Sequence, residues 1–254
     1  MFTLLTTTPN VHFCTEFKKK FPARVVSPKD ISVPLTEVEG ILYPRNLALD
    51  YCDDDLLIIS EWEKLGKVIV PRKTIEAFRD KRQQYITLRD FGFPVISTMD
   101  IGNKNSLMGF IENNPAEKFI LKPRRGAKGR GVLKLDASAL VQTTDLLREM
   151  GDTRFIVSPY LEHVTELRLM CYGDELLGCI AKGKDYNEWK EVSAPAELVS
   201  LLSSLDQFKF GIWAIDFLQI GHDFKVLELN LNPGIEYFIQ VTGQNPLNRL
   251  NLSY

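Results

Sequence analysis

The last part of the sequence holds two apolar segments that a short turn separates. They read GIWAIDFLQ and FKVLELNLNPG, and Gly221-His222-Asp223 lies at the junction. Residues i and i+2 of a strand point to the same face of a sheet, so Glu228 and Asn230 project together. If the turn pairs the two strands as a hairpin, Asp216 falls close to both. The segment therefore predicts a pair of antiparallel strands with polar side chains gathered on one face.

An acidic side chain within an apolar strand is costly to bury unless it is paired or bound to a metal. Two carboxylates and an amide oxygen are hard ligands that suit Mg²⁺, which bridges carboxylates to substrate phosphates. We predict that Asp216, Glu228 and Asn230 bind a metal ion; the alternative is a carboxylate that accepts hydrogen bonds from backbone amides. The four cysteines and three histidines are scattered without CxxC spacing, so no zinc site is expected.

A basic, glycine-rich segment lies near the middle of the chain, between two short apolar runs. In KFILKPRRGAKGRGV, residues 118–132, three glycines stand among the five basic side chains between Lys122 and Arg130. The order G-x-x-G-x-G and the strand that follows do not fit a P-loop or a dinucleotide-binding turn, since both lead into a helix. A strand–loop–strand clamp that covers a triphosphate with backbone N–H groups stays open as a reading, beside an ordinary exposed basic hairpin.

The rest of the chain alternates apolar runs with helical patterns. In the first third, β-branched runs lie at 2–7, 23–28, 38–45 and 66–71. This alternation predicts a small parallel α/β unit, followed by one amphipathic helix over residues 72–91 that Gly92 and Pro94 terminate. The runs of the second half favour antiparallel hairpins, and they lie at 154–161, 166–173 and 175–182. The predicted fold class is therefore mixed α/β.

Charge and hydropathy limit the classes of function. The 254 residues include 31 Lys and Arg against 33 Asp and Glu, so no global basic field favours nucleic acid or an anionic membrane. No run approaches the roughly 18 apolar residues that span a bilayer. The first residues lack the basic and long apolar regions of a signal peptide. We expect a soluble, cytoplasmic protein that binds neither nucleic acid nor membrane.

In their order and spacing, four segments resemble the ATP-grasp superfamily, and most closely its RimK-type branch with the glutathione-synthetase-like ligases. They are FRDKRQQYITLRDFGFPVIST (78–98), FILKPRRGAKGRGV, VSPYLEHVTELRLMCYGDELLGCIAK (157–182), and GIWAIDFL with VLELNLNPG. The resemblance implies an ATP-grasp domain at 73–254, with a lid subdomain at 94–158 and a metal-binding core subdomain at 159–254. A small parallel α/β domain at 1–72 would precede it.

The resemblance also implies roles for single residues. Lys81 and Lys122 would contact the phosphates of ATP, Arg168 would stabilise the transferring phosphoryl group, and Glu166 would hold the ribose. Lys122 and Arg168 would thus be the catalytic residues. The remaining nucleotide contacts would come from Arg125, Gly126, Lys128, Gly129 and Gly131 of the loop, and from Ser158, Pro159, Tyr160 and Leu161 of the hinge. Asp216, Glu228 and Asn230 would bind Mg²⁺, with Mn²⁺ as an alternative, and Lys182, Asn232 and Gly234 would face the substrate.

The implied activity is an ATP-dependent, ADP-forming ligation of a carboxylate to an amine through an acyl phosphate. The carboxylate would belong to a small molecule or to a peptide or protein tail, the amine to an amino acid, and a homo-oligomer is plausible by analogy. Two alternatives stay open: a kinase acting on a small polyanionic hydroxyl substrate, and a module that binds ATP without turnover. Residues 183–197 depart from the family pattern where it shapes the substrate site, so the resemblance does not identify the substrate.

Overall fold

The computed structural model describes residues 2–6, 12–27, 40–45, 54–102, 104–126, 129–162, 164–183 and 186–250. The helices found there are α1 (His12–Lys20), α2 (Asp54–Lys64), α3 (Arg72–Phe78), α4 (Lys81–Asp90), α5 (Lys104–Asn113), α6 (Ala137–Glu149), α7 (Ala196–Leu202) and α8 (Glu236–Thr242). The first strands are β1 (Phe2–Thr6), β2 (Ala23–Val26), β3 (Ile41–Arg45), β4 (Met99–Asp100), β5 (Phe119–Pro123) and β6 (Leu133–Leu135). The later strands are β7 (Phe155–Pro159), β8 (Thr165–Tyr172), β9 (Glu175–Gly183), β10 (Tyr186–Val192), β11 (Ile212–Ile220) and β12 (Asp223–Asn230).

A small parallel sheet with the strand order β2-β1-β3 forms the first layer, as the sequence predicted. Its central strand β1 is buried along its whole length, and Phe2 packs edge-on against Phe17 of α1. The prediction of a fourth strand at 66–71 was wrong. Within that segment Val68 alone forms a bridge, to Leu42 of β3. The extended segment ends there because Pro71 lacks a backbone N–H and stands as the N-cap of α3.

A larger antiparallel sheet, in the order β10-β9-β8-β11-β12, forms the centre of the molecule. One face packs against the first sheet, where the backbone N–H of Ile212 donates to the hydroxyl of Tyr43 at 2.8 Å. The other face packs against an aromatic cluster in which the rings of Phe210 and Trp213 stack at 4.5 Å. Charged side chains that point into these packed faces need a partner or a cavity that opens over the sheet.

A third sheet, in the order β4-β7-β5-β6, packs its apolar face against α5 and α6. The glycine-rich segment connects its strands β5 and β6, which pair antiparallel. The strand–loop–strand arrangement that the sequence predicted is thus confirmed. Within the described ranges, every helix is too short or too polar to cross a membrane.

The amphipathic segment at 72–91 forms two helices, so the prediction of a single helix was wrong. Helix α3 ends at Phe78, and α4 starts at Lys81 with Asp80 as its N-cap. The Asp80 carboxylate accepts hydrogen bonds from the backbone N–H groups of Arg82 and Gln83. A capping carboxylate starts a new helix at this point, because it satisfies amides that the first turn leaves unpaired.

Candidate active site

A cavity of about 630 Å³ lies between the central sheet, α4 and the start of the glycine-rich loop. The predicted site residues that line it are Lys81, Gly126, Gly129, Glu166, Arg168, Asp216, Glu228, Asn230, Asn232 and Gly234. They come from segments far apart in the chain, and the pairing of β8, β11 and β12 is what brings the acidic ones together.

A larger cavity of about 780 Å³ lies on another side of the molecule, next to Phe208, Phe210 and Trp213. None of the predicted site residues that the structure describes lines it, and its lysines, Lys67 and Lys209, are exposed. Ligand sites are distinguished by a few convergent polar groups rather than by volume. We therefore take the smaller cavity as the candidate active site.

The side chains of Glu166, Arg168, Asp216, Glu228 and Asn230, on β8, β11 and β12, form what we call the floor of the cavity. An ion pair between Arg168 and Asp216 lies at its centre. Strand β11 pairs with both β8 and β12, so Asp216 lies opposite Arg168 on one side and Glu228 on the other. Nε and Nη2 of Arg168 donate to the two carboxylate oxygens of Asp216 at 2.7 and 2.8 Å. Burial works against the charge of Arg168, but the hydrogen bonds and charge of Asp216 outweigh it and raise the pKa of Arg168. The guanidinium is thus held charged and in one orientation.

Two further carboxylates on the floor are destabilised in their charged form. Burial raises the pKa of Glu228; the Lys81 ammonium, 3.9 Å away, opposes this shift, and the charge of Asp216 adds to it. Burial also raises the pKa of Glu166, again with a contribution from Asp216. A divalent cation at the floor would favour the ionised form of both groups.

The donor set of the floor fits a magnesium ion. In the described part of the chain, no group of three or more His, Cys, Asp or Glu side chains could hold a metal. The sequence prediction of Asp216, Glu228 and Asn230 as ligands adds an amide oxygen to two carboxylates, and all three residues line this cavity. Both oxygens of Asp216 bond to Arg168, but a carboxylate has further lone pairs for a cation. Such an all-oxygen set is typical of Mg²⁺.

One side chain at the edge of this set has an unused acceptor. The backbone N–H of Asn232 donates to Oδ1 of Asn230 at 2.9 Å, which fixes the turn after β12. Oδ1 of Asn232 itself is buried and finds no hydrogen-bond partner among the described residues. A buried polar atom without a partner is costly, so a ligand in the cavity that donates a hydrogen bond would stabilise it.

Lys122 lies behind the floor rather than among the residues that line the cavity. Its Nζ donates to the hydroxyl of Tyr85 at 2.8 Å, and that hydroxyl donates to the carbonyl of Leu227 at 2.5 Å. Burial lowers the pKa of Lys122 to about 8; Glu228 opposes this shift and Lys81 adds to it. Lys122 is therefore a cation that gains from any added negative charge in the cavity.

The glycine-rich loop is tied to α4 at its first residues. Nζ of Lys81 donates to the carbonyl of Gly126 at 3.0 Å, and its backbone N–H donates to the carbonyl of Arg124 at 2.9 Å. Gly129 and Gly131 have positive φ angles of 68° and 71°, which glycine adopts far more readily than other residues. Lys128, predicted to contact phosphate, lies outside the described residues.

The structure places the remaining predicted residues away from the lining of this cavity. Arg125 lines a smaller neighbouring cavity of about 390 Å³. Lys182 pairs with Glu166 across β8 and β9 but is exposed. The lining also lacks Gly131 and the predicted hinge, Ser158, Pro159, Tyr160 and Leu161. The hinge begins in β7, where Ser158 pairs with Ile120 of β5.

Two residues at the site were missed by sequence reasoning. They are Gln84 and Tyr85, neither of which the sequence predicted as a site residue. Both are buried and hydrogen-bond to the backbone of β12. The available signal was Gln84 itself, because it is a polar residue one turn after Lys81 and directly beside the apolar face. A buried glutamine there requires partners for its amide.

Comparisons of sequence find no relatives: no protein-family profile matches the chain, and no curated protein matches it. Solved structures match it over nearly their whole length. The D-cycloserine synthetase DcsG has 18% identity and a TM-score of 0.71, with 94% of each chain covered. The ATP-grasp ligase PsnB, complexed with a phosphomimetic variant of its minimal precursor, Mg and ADP, has 14% identity and a TM-score of 0.72, over 96% of this chain and 94% of PsnB.

A RimK domain protein of Sphaerobacter thermophilus, also described as ATP-grasp, has 15% identity and a TM-score of 0.71, over 94% of this chain and 95% of its own. The TM-scores establish a shared fold, and identities this low establish no more than the fold. It agrees with the fold predicted from the four segments. The chain has the ATP-grasp fold.

Proposed function

We propose that the protein is an ATP-grasp ligase that uses Mg-ATP to join a carboxylate to an amine, with release of ADP. The observation that carries the proposal is the division of charge within one cavity. Lys81 and the glycine-rich loop form one wall, whereas Asp216 and Glu228 form the floor beside the cation of Arg168. This arrangement suits a polyphosphate held between lysines and a carboxylate-bound cation.

Each group then has a role that its position supports. Asp216, Glu228 and Asn230 would hold Mg²⁺, or Mn²⁺ as an alternative, and the cation would neutralise charge between the phosphates when bound. Lys81, which lines the cavity, would offset the remaining phosphate charge directly, and Lys122 would do so from behind the floor, at longer range. Arg168, which Asp216 holds in place, would stabilise the phosphoryl group during transfer, because a preoriented cation needs no reorganisation at that moment.

Two displacements make up the proposed reaction. A carboxylate oxygen of the substrate attacks the γ-phosphorus, and the bond from that phosphorus to the bridging oxygen of ADP breaks, which gives an acyl phosphate. The nitrogen of a neutral amine then attacks the acyl carbon, phosphate leaves, and the nitrogen loses a proton. The glycine-rich loop would cover the site and keep water from the acyl phosphate.

The solved structures with this fold support this class of substrate. PsnB is described in complex with a minimal precursor and with a precursor peptide, and two of its structures contain Mg and ADP. We propose a carboxylate on a small molecule or on a peptide tail, and an amino acid as the amine. The boundaries at 1–72, 73–254, 94–158 and 159–254 stay predictions, as does a homo-oligomer.

The experiment that tests the proposal traps the acyl phosphate. The protein is incubated with Mg-ATP, hydroxylamine and pools of amino acids and dipeptides, and ADP and hydroxamate are measured. A ligase releases ADP and forms a hydroxamate in the same pool, and Arg168→Lys, which keeps the charge but loses the two-point contact, lowers both together. The same assay is run with small polyanionic hydroxyl compounds, where ADP with a stable phosphoester and no hydroxamate would identify a kinase. ATP binding without ADP release in any of these pools would favour a binding module.

A further inference from the structure

The side chain of Gln84 on α4 is buried, with only 2% of the residue exposed, and it makes three hydrogen bonds. Its Nε2 donates to the carbonyl oxygens of Phe78 at 2.8 Å and of Leu229 at 2.7 Å. Its Oε1 accepts the backbone N–H of Leu229 at 2.9 Å. A single amide thus satisfies both backbone groups of one residue in β12.

The position of β12 explains why this contact forms. In the described part of the chain, β12 is the last strand of the central sheet, with β11 as its ladder partner. The backbone groups on its outer side need other partners, since buried N–H and C=O groups are rarely left unpaired. Gln84 supplies a donor and an acceptor side by side, in the way that a peptide group of a further strand would.

The contact acts on the residues that flank Leu229. Its N–H belongs to the peptide group that joins Glu228 to Leu229, and its C=O belongs to the group that joins Leu229 to Asn230. When both groups are held, the backbone orientation at the two neighbouring residues is fixed. We propose that Gln84 is a positioning residue of the magnesium site, which sets the spacing of Glu228 and Asn230. This inference rests on the proposed function.

Helix α4 links this contact to the phosphate side of the cavity. Lys81 precedes Gln84 by one turn, and its Nζ lies 3.9 Å from Oε1 of Glu228. Tyr85 follows Gln84, bonds to the carbonyl of Leu227, and accepts a hydrogen bond from Lys122. One helix therefore sets the distance between the cations for the phosphates and the oxygens for the metal.

The test compares Gln84→Met with Gln83→Met. Methionine matches glutamine in length but cannot hydrogen-bond to Leu229. Gln83 is exposed, and its side chain donates to Thr87 of its own helix, so the same substitution there serves as a control that leaves the contact with Leu229 intact. Binding of ATP is measured by calorimetry over a range of Mg²⁺ concentrations and in EDTA. Gln84→Asn, which keeps the amide but is one methylene too short to span both backbone groups, serves as the second variant.

We expect Gln84→Met to raise the Mg²⁺ concentration for half-maximal ATP binding by about tenfold or more, as for other residues that orient metal ligands. Binding in EDTA should equal that of wild type, and Gln83→Met should match wild type throughout. An unchanged Mg²⁺ midpoint in Gln84→Met, or equal losses with and without Mg²⁺, would overturn the inference. If Gln84→Met does not fold, the midpoint of Gln84→Asn decides in the same way. Wild-type protein that binds no Mg-ATP would instead overturn the proposed function.

Discussion

The floor and the glycine-rich loop present different kinds of groups to the same cavity. On the floor, side chains from paired strands are fixed by one another, as the two hydrogen bonds between Arg168 and Asp216 show. The loop instead offers backbone groups and glycines with positive φ. Its first residues are joined to Lys81 by a hydrogen bond and to Asp80 by an ion pair. The floor is therefore organised before a ligand binds, whereas the loop, in the proposed function, would cover the ligand. Breaking the ion pair of the floor should therefore cost more than changes to the loop.

The largest effect is expected for Asp216→Ala. The change leaves Arg168 buried without its partner, and breaking a buried pair in this way typically costs about 3–5 kcal/mol. We expect a loss of this size in the free energy of unfolding, measured with urea in the absence of nucleotide.

A double variant separates stability from binding at the same position. Arg168→Met with Asp216→Leu replaces both charges with apolar groups, so it should recover most of the lost stability. It should not recover Mg²⁺-dependent ATP binding. If Asp216→Ala alone were as stable as wild type, the ion pair would not organise the floor.

The next effect concerns the charge of Lys122. Burial lowers its pKa to about 8, and bound phosphates would raise it, because they favour the charged form. Above that pH the free protein must take up a proton in order to bind ATP. The affinity should then fall by about tenfold per pH unit.

Calorimetry between pH 7 and pH 10 measures this slope. Lys122→Met should bind ATP more weakly at pH 7 and lose that dependence. A slope that persists in the variant would assign it to another group.

A smaller effect is expected in the loop, from Gly131→Ala. At a φ of 71° an alanine is strained by about 1–2 kcal/mol, and its Cβ would lie 3.0 Å from Cγ of Pro123. Gly129→Ala shares the positive φ, but its Cβ would meet nothing within 4 Å. ATP affinity should therefore fall more in Gly131→Ala than in Gly129→Ala. Equal affinities would mean that the contact with Pro123 does not matter for the loop.

The smallest effect has the opposite sign. Burial raises the pKa of Glu228, so the folded protein favours its neutral form, and stability from this group is lost as the pH rises above the ordinary carboxyl range. At pH 7 Glu228 is therefore a cost to the stability of the free protein. Glu228→Gln should raise the urea midpoint slightly at pH 7, and the difference should vanish near pH 4. A lower midpoint at pH 7 would contradict this.

The acidic part of the floor could be predicted from the sequence because β11 and β12 form a local hairpin, whereas Arg168 came only from the family resemblance. The alternation of Glu228 with Asn230 and the turn after Ile220 suffice to place both near Asp216, and the register of β11 and β12 pairs Asp216 with Glu228. Gln84 could not be predicted in this way, since its partner Leu229 is 145 residues distant in the chain. Packing of a helix against a sheet edge leaves no periodic signal.

The errors in the helices and strands have similar causes. The pattern at 72–91 has helical periodicity throughout, but the capping carboxylate of Asp80 divides it. The run at 66–71 is apolar enough for a strand, yet Pro71 and the start of α3 end it. In each case a single residue, Asp80 or Pro71, ends an element that the surrounding pattern would otherwise continue.

The most direct measurement is the melting temperature of wild type and Glu228→Gln with ATP, each with Mg²⁺ and with EDTA. A ligand in about hundredfold excess over its Kd stabilises a protein by roughly 2.7 kcal/mol. If the floor binds Mg-ATP, the wild-type melting temperature rises clearly with ATP and Mg²⁺, rises less in EDTA, and the benefit of Mg²⁺ is lost in Glu228→Gln. Folded wild-type protein that shows no shift with ATP, or the same Mg²⁺-independent shift as the variant, would contradict a Mg-ATP site on this floor.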